Sequence, residues 1–495
     1  MRWIVVLLLL AAAPAAAAPR DWVEANRAAL LEEYLAFLAI PNVAGDREDI
    51  RRTAAHIVGM MERRGLSPRR LESEDGSAPP LIYGEWAIPG AERTYVLYAH
   101  YDGQPVTPEA WRVTPPFEPR LLTGPADSGG RPAPSEEPPL DDWRIYARSA
   151  SDDKAGVMAI LAAVDALRAE GRQPSFNLKI VFEGEEEAGS PNLQGLLRRH
   201  RTLLQSDGWI IVDGPAYASG PRQLTLGVRG IATGELTVYG PVRPLHSGHY
   251  GNWAPNPAMM LAELLASMKD DEGRVIIDGF YDDVVPLSAA EQAAVAAAPA
   301  QDEALRAELG LARTEGGGET LTLLINRPSL GITGLTSADT GAAARNVIPA
   351  EATASFDLRL VLGNDPRRQF DRVAAHVRAQ GYELLDREPT MEERRRFPRI
   401  ARLTYGGGYP AERTRLDRPL ARSVRAALEA DGPLVVLPSL GGSLPLYLLR
   451  QELHAPTVVV SLWNHDNNQH AEDENIRLGH LWDGIKAVAA VMTME

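Results

Sequence analysis

The chain has 495 residues, 45% of them hydrophobic and 24% charged, an ordinary globular composition that excludes collagen-like, low-complexity and disordered classes. Lys and Arg total 51 against 66 Asp and Glu, and a net charge of −15 without a long basic run argues against a nucleic-acid partner. Cysteine is absent, so disulfides, thiolate nucleophiles and Cys-ligated zinc are excluded, and any metal chemistry must rest on His, Asp and Glu.

At the N-terminus, Arg2 precedes an apolar run over 4–13, then Pro14 and the small residues Ala16-Ala17-Ala18. This layout predicts a secretory signal peptide over 1–18, cleaved to leave an exported, periplasmic protein with no membrane attachment. The run is shorter than the roughly 20 apolar residues a membrane span needs.

Helical spacing predicts helices over 22–39 and 46–64, with Asp46 as N-cap of the second. Strands are expected over 81–87 and 94–99, the latter ending at His100, and a Pro-, Gly- and acid-rich surface loop over 124–142. A helix over 157–169 follows, then a strand over 176–182 leading into Glu183-Gly184-Glu185-Glu186-Glu187, and a strand over 208–212 that stops at Asp213. Near the other end, a strand over 457–462 leads to a polar loop carrying His470 and a closing helix to 494. Strands alternating with helices predict a mostly parallel sheet covered by helices, whose ligands bind beyond the carboxyl ends of the strands.

The middle of the chain has another rhythm. Two strands within 223–239, a helix over 256–269, strands over 321–325 and 352–362, a helix over 366–380 and a strand over 382–385 describe a small two-layer α/β, ferredoxin-like unit. An Ala-rich helical stretch over 288–313 interrupts it. The expected organisation is a first domain in two halves, 19–221 and 391–495, with a lid and dimerisation domain of 222–390 inserted.

His100-Tyr101-Asp102, Asp152-Asp153, Glu185–Glu187, Asp213 and His470 fall just past strand ends or in loops at one edge of the expected sheet. Singly, each reads as a cap, a turn or a solvated acidic face. Gathered at one edge, the carboxylates would repel unless cations neutralise them, and two divalent ions sharing a bridging carboxylate would do so.

The ordered motifs resemble the dinuclear zinc exopeptidase and amidohydrolase family of carnosinase-type dipeptidases, glutamate carboxypeptidases, aminoacylases and succinyl-diaminopimelate desuccinylase. The pieces are Tyr98–Pro105, Trp111 to Phe117, Ala147–Lys154, Phe182–Ser190, Leu245-His246-Ser247-Gly248, Asn346-Val347-Ile348-Pro349 and Gly441–Pro445. The resemblance implies that His100, Asp152 and Asp213 hold one metal and that Asp152 bridges to a second, completed by Glu187 and His470. It further implies Glu186 as general base, Asp102 as the residue steering His100, a cis peptide at Asp152-Asp153, and substrate contacts from His246, Asn346, Arg359 and Ser443. Two Zn2+ per subunit are expected, with Co2+ or Mn2+ as substitutes, and a homodimer formed through the lids, with the histidine reaching into the neighbouring site. Ala147, Ala150 and Ala155 stand where the family tends to have Gly, and Ser439-Leu440 where its dipeptidase branch often carries Arg-Glu.

The implied activity is metal-dependent hydrolysis of an amide bond in dipeptides or short peptides with a free C-terminal carboxylate. Two alternatives share much of this pattern: a deacylase of N-acyl amino acids, and an exported solute- or metal-binding protein without catalysis. Glu186 beside Glu187 separates the last, because a simple binder needs no extra acid there.

Overall fold

The computed structural model describes residues 19–495 except Ser135 and Ser443. The leader expected over 1–18 and the substrate residue expected at Ser443 therefore lie outside the described residues. The main body is an eight-stranded sheet in the order Arg69–Leu71, Leu81–Trp86, Asn177–Glu183, Thr94–His100, Gly208–Val212, Thr457–Ser461, Arg222–Thr225, Leu434–Leu437. Its four central strands run parallel, in register from Thr94 beside Asn177 to His100 beside Glu183, while the flanking strands include antiparallel pairs. Thr94–His100, Gly208–Val212 and Thr457–Ser461 are buried on both faces and read as near-continuous apolar runs such as Tyr-Val-Leu-Tyr-Ala, as buried parallel strands do.

Helices cover the sheet. Lys154–Ala169 is almost wholly buried and packs against the closing helix Leu478–Met492. It begins earlier than the apolar pattern suggests, because Asp153 caps it by accepting a hydrogen bond from the Gly156 N–H at 3.1 Å. Gly156 is required there: a Cβ would strike the Val212 carbonyl and the Asp153 carboxylate. This close approach brings the Asp152 loop against the strand that ends at Asp213. The expected N-cap Asp46 accepts from the Glu48 and Asp49 N–H groups.

A second sheet of five strands has the order Ser329–Thr336, Glu351–Leu360, Gly230–Tyr239, Ile400–Tyr409, Glu383–Leu385, backed by helices Pro257–Ala266 and Pro366–Ala379. The βαββαβ order is present, with three departures from expectation. Residues 321–325 do not form a strand: Leu321–Leu324 is a helical turn, whose Leu323 N–H is accepted by the Thr320 hydroxyl, and the strand lies at Ser329–Thr336. A fifth strand, Ile400–Tyr409, wedges between the first and last strands beyond the expected limit of 390, its Gly406-Gly407-Gly408 run having the look of a loop. At the other limit, Arg222–Thr225 pairs within the large sheet. The Ala-rich stretch is two helices, Ala289–Ala297 and Asp302–Glu308, and the first packs on Leu434–Leu437 of the large sheet, with Ala298 against Tyr217, Val435 and Leu437.

A small three-stranded sheet, Asn475–Arg477, Arg144–Tyr146 and Arg120–Leu122, ties the loop after residue 146 to the loop before residue 475. Those two loops carry Asp152 and His470. Among the described residues no helix is long and apolar enough to cross a membrane.

Candidate metal centre

Each predicted ligand leaves the end of an element. His100 closes Thr94–His100, Asp152 precedes the cap of Lys154–Ala169, Glu187 sits in a short turn after Asn177–Glu183, Asp213 follows Gly208–Val212, and His470 lies in the loop before Asn475–Arg477. The ring Nε2 of His100 is 2.9 Å from Asp152 Oδ1, and the ring Nε2 of His470 is 3.0 Å from Asp152 Oδ2. Asp152 thus divides its two oxygens between two imidazoles. His470 Nε2 is also 3.3 Å from Glu187 Oε2, which Gln104 holds by donating its amide at 2.7 Å. His100, Asp152 and Glu187 present ligand atoms within 4.8 Å of one another, and so do His100, Asp153 and Asp213. Asp213 is accordingly brought to the His100 side, with Asp153 rather than Asp152 completing its group. The peptide bond between Asp152 and Asp153 is cis.

Asp102 has two tasks. Its carbonyl oxygen lies 3.2 Å and its carboxylate 3.4 Å from His100 Nδ1, a position that orients the ring. Its carboxylate also accepts the N–H groups of Glu186 at 3.1 Å and Glu187 at 3.0 Å, fixing the turn that presents both glutamates.

The electrostatics are those of crowded acids in a buried place. Burial, and then the Asp152 charge, pushes Glu187 up to about 8 and Asp213 up to about 6. Glu186 is raised well above the ordinary carboxylate range by burial and by Asp213 and Glu187, despite His100. Asp153 is raised by burial and by Asp213. Burial also opposes ionisation of Asp152, but hydrogen bonds and charge from His100 and His470 hold it below the usual range. The Asp152 hydrogen bond, then Glu187, lifts His470 to about 9. So many carboxylates cannot all ionise without cations, and hard oxygen donors with two imidazoles make a set that fits divalent metal.

One organising residue was not legible beforehand. Glu474, fully buried, accepts from the Ser149, Ser151 and Asp152 N–H groups, the Ser151 hydroxyl and the Arg148 guanidinium, all at 2.9–3.0 Å. It clamps the Asp152 loop from the His470 loop. Its place in an acidic run, Glu472-Asp473-Glu474, was the only signal. Lys154, also fully buried, donates to the Phe37 and Ile40 carbonyls and anchors the other side of the same loop.

The expected substrate residues lie on other strands. His246 and Asn346 come together, because Leu245–His246 pairs with Val347–Ile348 and the Ser247 N–H donates to the Asn346 carbonyl. Both are exposed, and among the described residues no hydrogen bond or ion pair joins them to the acid–histidine cluster. The His246 ring lies 4.5 Å from that of His249, tilted by 40° to it, a neighbour that nothing in the sequence singles out. Arg359 lies on Glu351–Leu360, with its Nε donating to Asp357 at 2.8 Å.

A parallel-sheet body with an inserted two-layer α/β unit, and paired imidazoles on a shared carboxylate beyond the strand ends, defines a metal-dependent hydrolase. Residues 96–494 match the family described as Peptidase family M20/M25/M40. The chain belongs to that family and is a metallopeptidase. It is 25% identical over 495 residues to the Cys-Gly metallodipeptidase DUG1 of Candida albicans, covering 95% of this chain and 96% of that protein. It is 26% identical to human Beta-Ala-His dipeptidase, over 90% of this chain and 84% of that one. Among solved structures, the M20 family metallo-carboxypeptidase Sso-CP2 from Sulfolobus solfataricus superposes with a TM-score of 0.73 at 27% identity, over 94% of this chain and 98% of that one. These relatives exclude the reading of a non-catalytic binding protein. They also overturn the expected export: the DUG1 dipeptidases, matched over 90–95% of this chain in two yeasts, are cytosolic enzymes.

Proposed function

We propose that the protein is a two-metal dipeptidase acting on dipeptides or short peptides with a free C-terminal carboxylate. The observation that carries this reading is the division of the Asp152 carboxylate between His100 and His470, the geometry a bridging ligand needs. The similarity to Cys-Gly and Beta-Ala-His dipeptidases and to a metallo-carboxypeptidase supports the substrate class.

His100 and Asp213 would hold one cation, Glu187 and His470 the other, and Asp152 both. Zn2+ suits this nitrogen and oxygen set, and two such ions would supply Lewis acidity to the scissile carbonyl and to water. Glu186, raised in pKa and held by Asp102, takes the proton from the attacking water and returns it to the leaving amine. His246 stabilises charge developing on the carbonyl oxygen. Arg359 offers its guanidinium fork to the substrate carboxylate, and Asn346 and Ser443 are the further substrate contacts of this reading.

In this reading the large sheet is a catalytic domain and the five-stranded unit a lid. Exposed His246 then belongs to the active site of a second copy in a homodimer formed through the lids. The test is a panel of dipeptides, N-acetyl and N-succinyl amino acids, assayed with the metal-loaded chain. Hydrolysis confined to dipeptides is expected; hydrolysis confined to the acylated amino acids would replace this reading with a deacylase.

A further inference from the structure

A buried cation without an anion lies where the chain enters the five-stranded unit. Arg229 occupies the gap between strands Gly227–Val228 and Gly230–Tyr239 and is only 8% exposed. Its Nη2 donates to the Arg327 carbonyl at 2.8 Å and to the Ser329 hydroxyl at 2.9 Å, while its Nε is buried with no partner. Among the described residues no carboxylate stands within ion-pair distance of it.

A second guanidinium comes to the same place. Arg359 is in register with Ile231, two residues beyond Arg229, and with Ser329, whose hydroxyl Arg229 holds. Strand alternation puts Ile231, Ser329, Asp357 and Arg359 on one face, while Phe356, Leu358 and Leu360 face the core beneath the helices. The nearby acid, Asp357, already accepts from Arg359. Burial first, and then the Arg359 charge, lowers Arg229 to about 10. The backbone N–H of Arg229 donates to the Gly442 carbonyl at 3.3 Å, so the two cations stand where Gly442 meets the lid. A buried guanidinium beside another is costly until an anion completes it.

We infer that Arg229 is a second guanidinium of the substrate-carboxylate site, forming with Arg359 a two-arginine clamp that closes on the C-terminal carboxylate. This rests on the proposed dipeptidase reading. One planar carboxylate has lone pairs enough for both forks, and an amide in its place would leave one guanidinium unmatched. The clamp therefore sets the preference for acids over amides.

The experiment compares one dipeptide with its C-terminal amide on the metal-loaded chain, in wild type, Arg229→Met and Arg229→Lys. In Arg229→Met the acid-to-amide ratio of kcat/KM should fall tenfold or more, through KM. Equal losses on both substrates, or no loss, would overturn the clamp and leave Arg229 as a tie between loop and lid. Should Arg229→Met fail to fold, Arg229→Lys decides: a threefold or greater fall is expected, since a point charge lacks the fork, and a wild-type ratio overturns it. If wild type hydrolyses neither compound, the dipeptidase reading falls by itself. Calorimetric binding of the same acid and amide then tests the clamp, with loss of the acid preference in Arg229→Met expected and an unchanged preference overturning it.

Discussion

The acid–histidine cluster and the lid face are built on opposite principles. In the cluster the organising acids are held from several sides: Asp102 accepts two backbone N–H groups and Glu474 accepts five hydrogen bonds. On the lid, His246 and Asn346 are exposed and meet only near neighbours, and Arg359 is 34% exposed in its side chain. In the proposed reading, chemistry would sit on a densely hydrogen-bonded, largely buried frame, and recognition on a surface that must admit and release a ligand.

The sharpest challenge to this contrast is Glu186→Gln. Removing a general base typically costs about 10²–10⁴ in rate, so kcat should drop by that factor while metal content and melting temperature stay as in wild type. Near-normal turnover would move the base elsewhere. Next is Glu474→Ala, which leaves Arg148 buried without its carboxylate. Breaking such a buried pair costs about 3–5 kcal/mol, to be read by denaturant unfolding together with weaker metal retention by the dialysed protein. A stability within error of wild type would deny the clamp on the Asp152 loop.

On the lid side the effects should fall on binding. Loss of a charge-assisted hydrogen bond costs about 1.5–3 kcal/mol, so Arg359→Ala should raise KM for free-carboxylate substrates about 10- to 100-fold and that for amides far less. His246→Ala and Glu186→Gln proteins, each impaired alone, should recover part of the activity when mixed and exchanged, because one hybrid site then has both residues. No recovery would place His246 in its own subunit's site or outside any site. The smallest effect concerns Glu183, buried beneath the cluster and bonded to the Tyr98 hydroxyl, which burial raises to about 7. Between pH 4.5 and about 7 the folded state binds the extra proton, so this group's contribution to stability falls as pH rises. Glu183→Gln should flatten the unfolding free energy over that window; an unchanged slope would show that the group does not titrate there.

Much of the cluster was legible because its residue types have few other reasons to recur past successive strand ends. His100, Asp152, Glu187 and His470 were expected together and are in contact, and Asp213 joins them through His100. Apolar runs such as 94–99 and 208–212 fixed the central strands, because buried parallel strands have no polar alternation to blur them. The lid was less readable. Leu321–Leu324 is apolar enough for a strand but is turned by the Thr320 cap, and Ile400–Tyr409 hides behind three glycines. Arg229 and Glu474 could not be found by pattern, since what distinguishes each is the presence or absence of a partner far away in the chain.

The clamp by Glu474 also bears on how the molecule is made. His470 and Glu474 follow the whole lid in chain order, so a chain still emerging from the ribosome has His100, Asp152, Glu187 and Asp213 long before the loop that closes the cage. On the proposed two-metal reading, activity would arrive only with the last stretch of synthesis, and a half-made molecule would be disarmed by its own order of assembly.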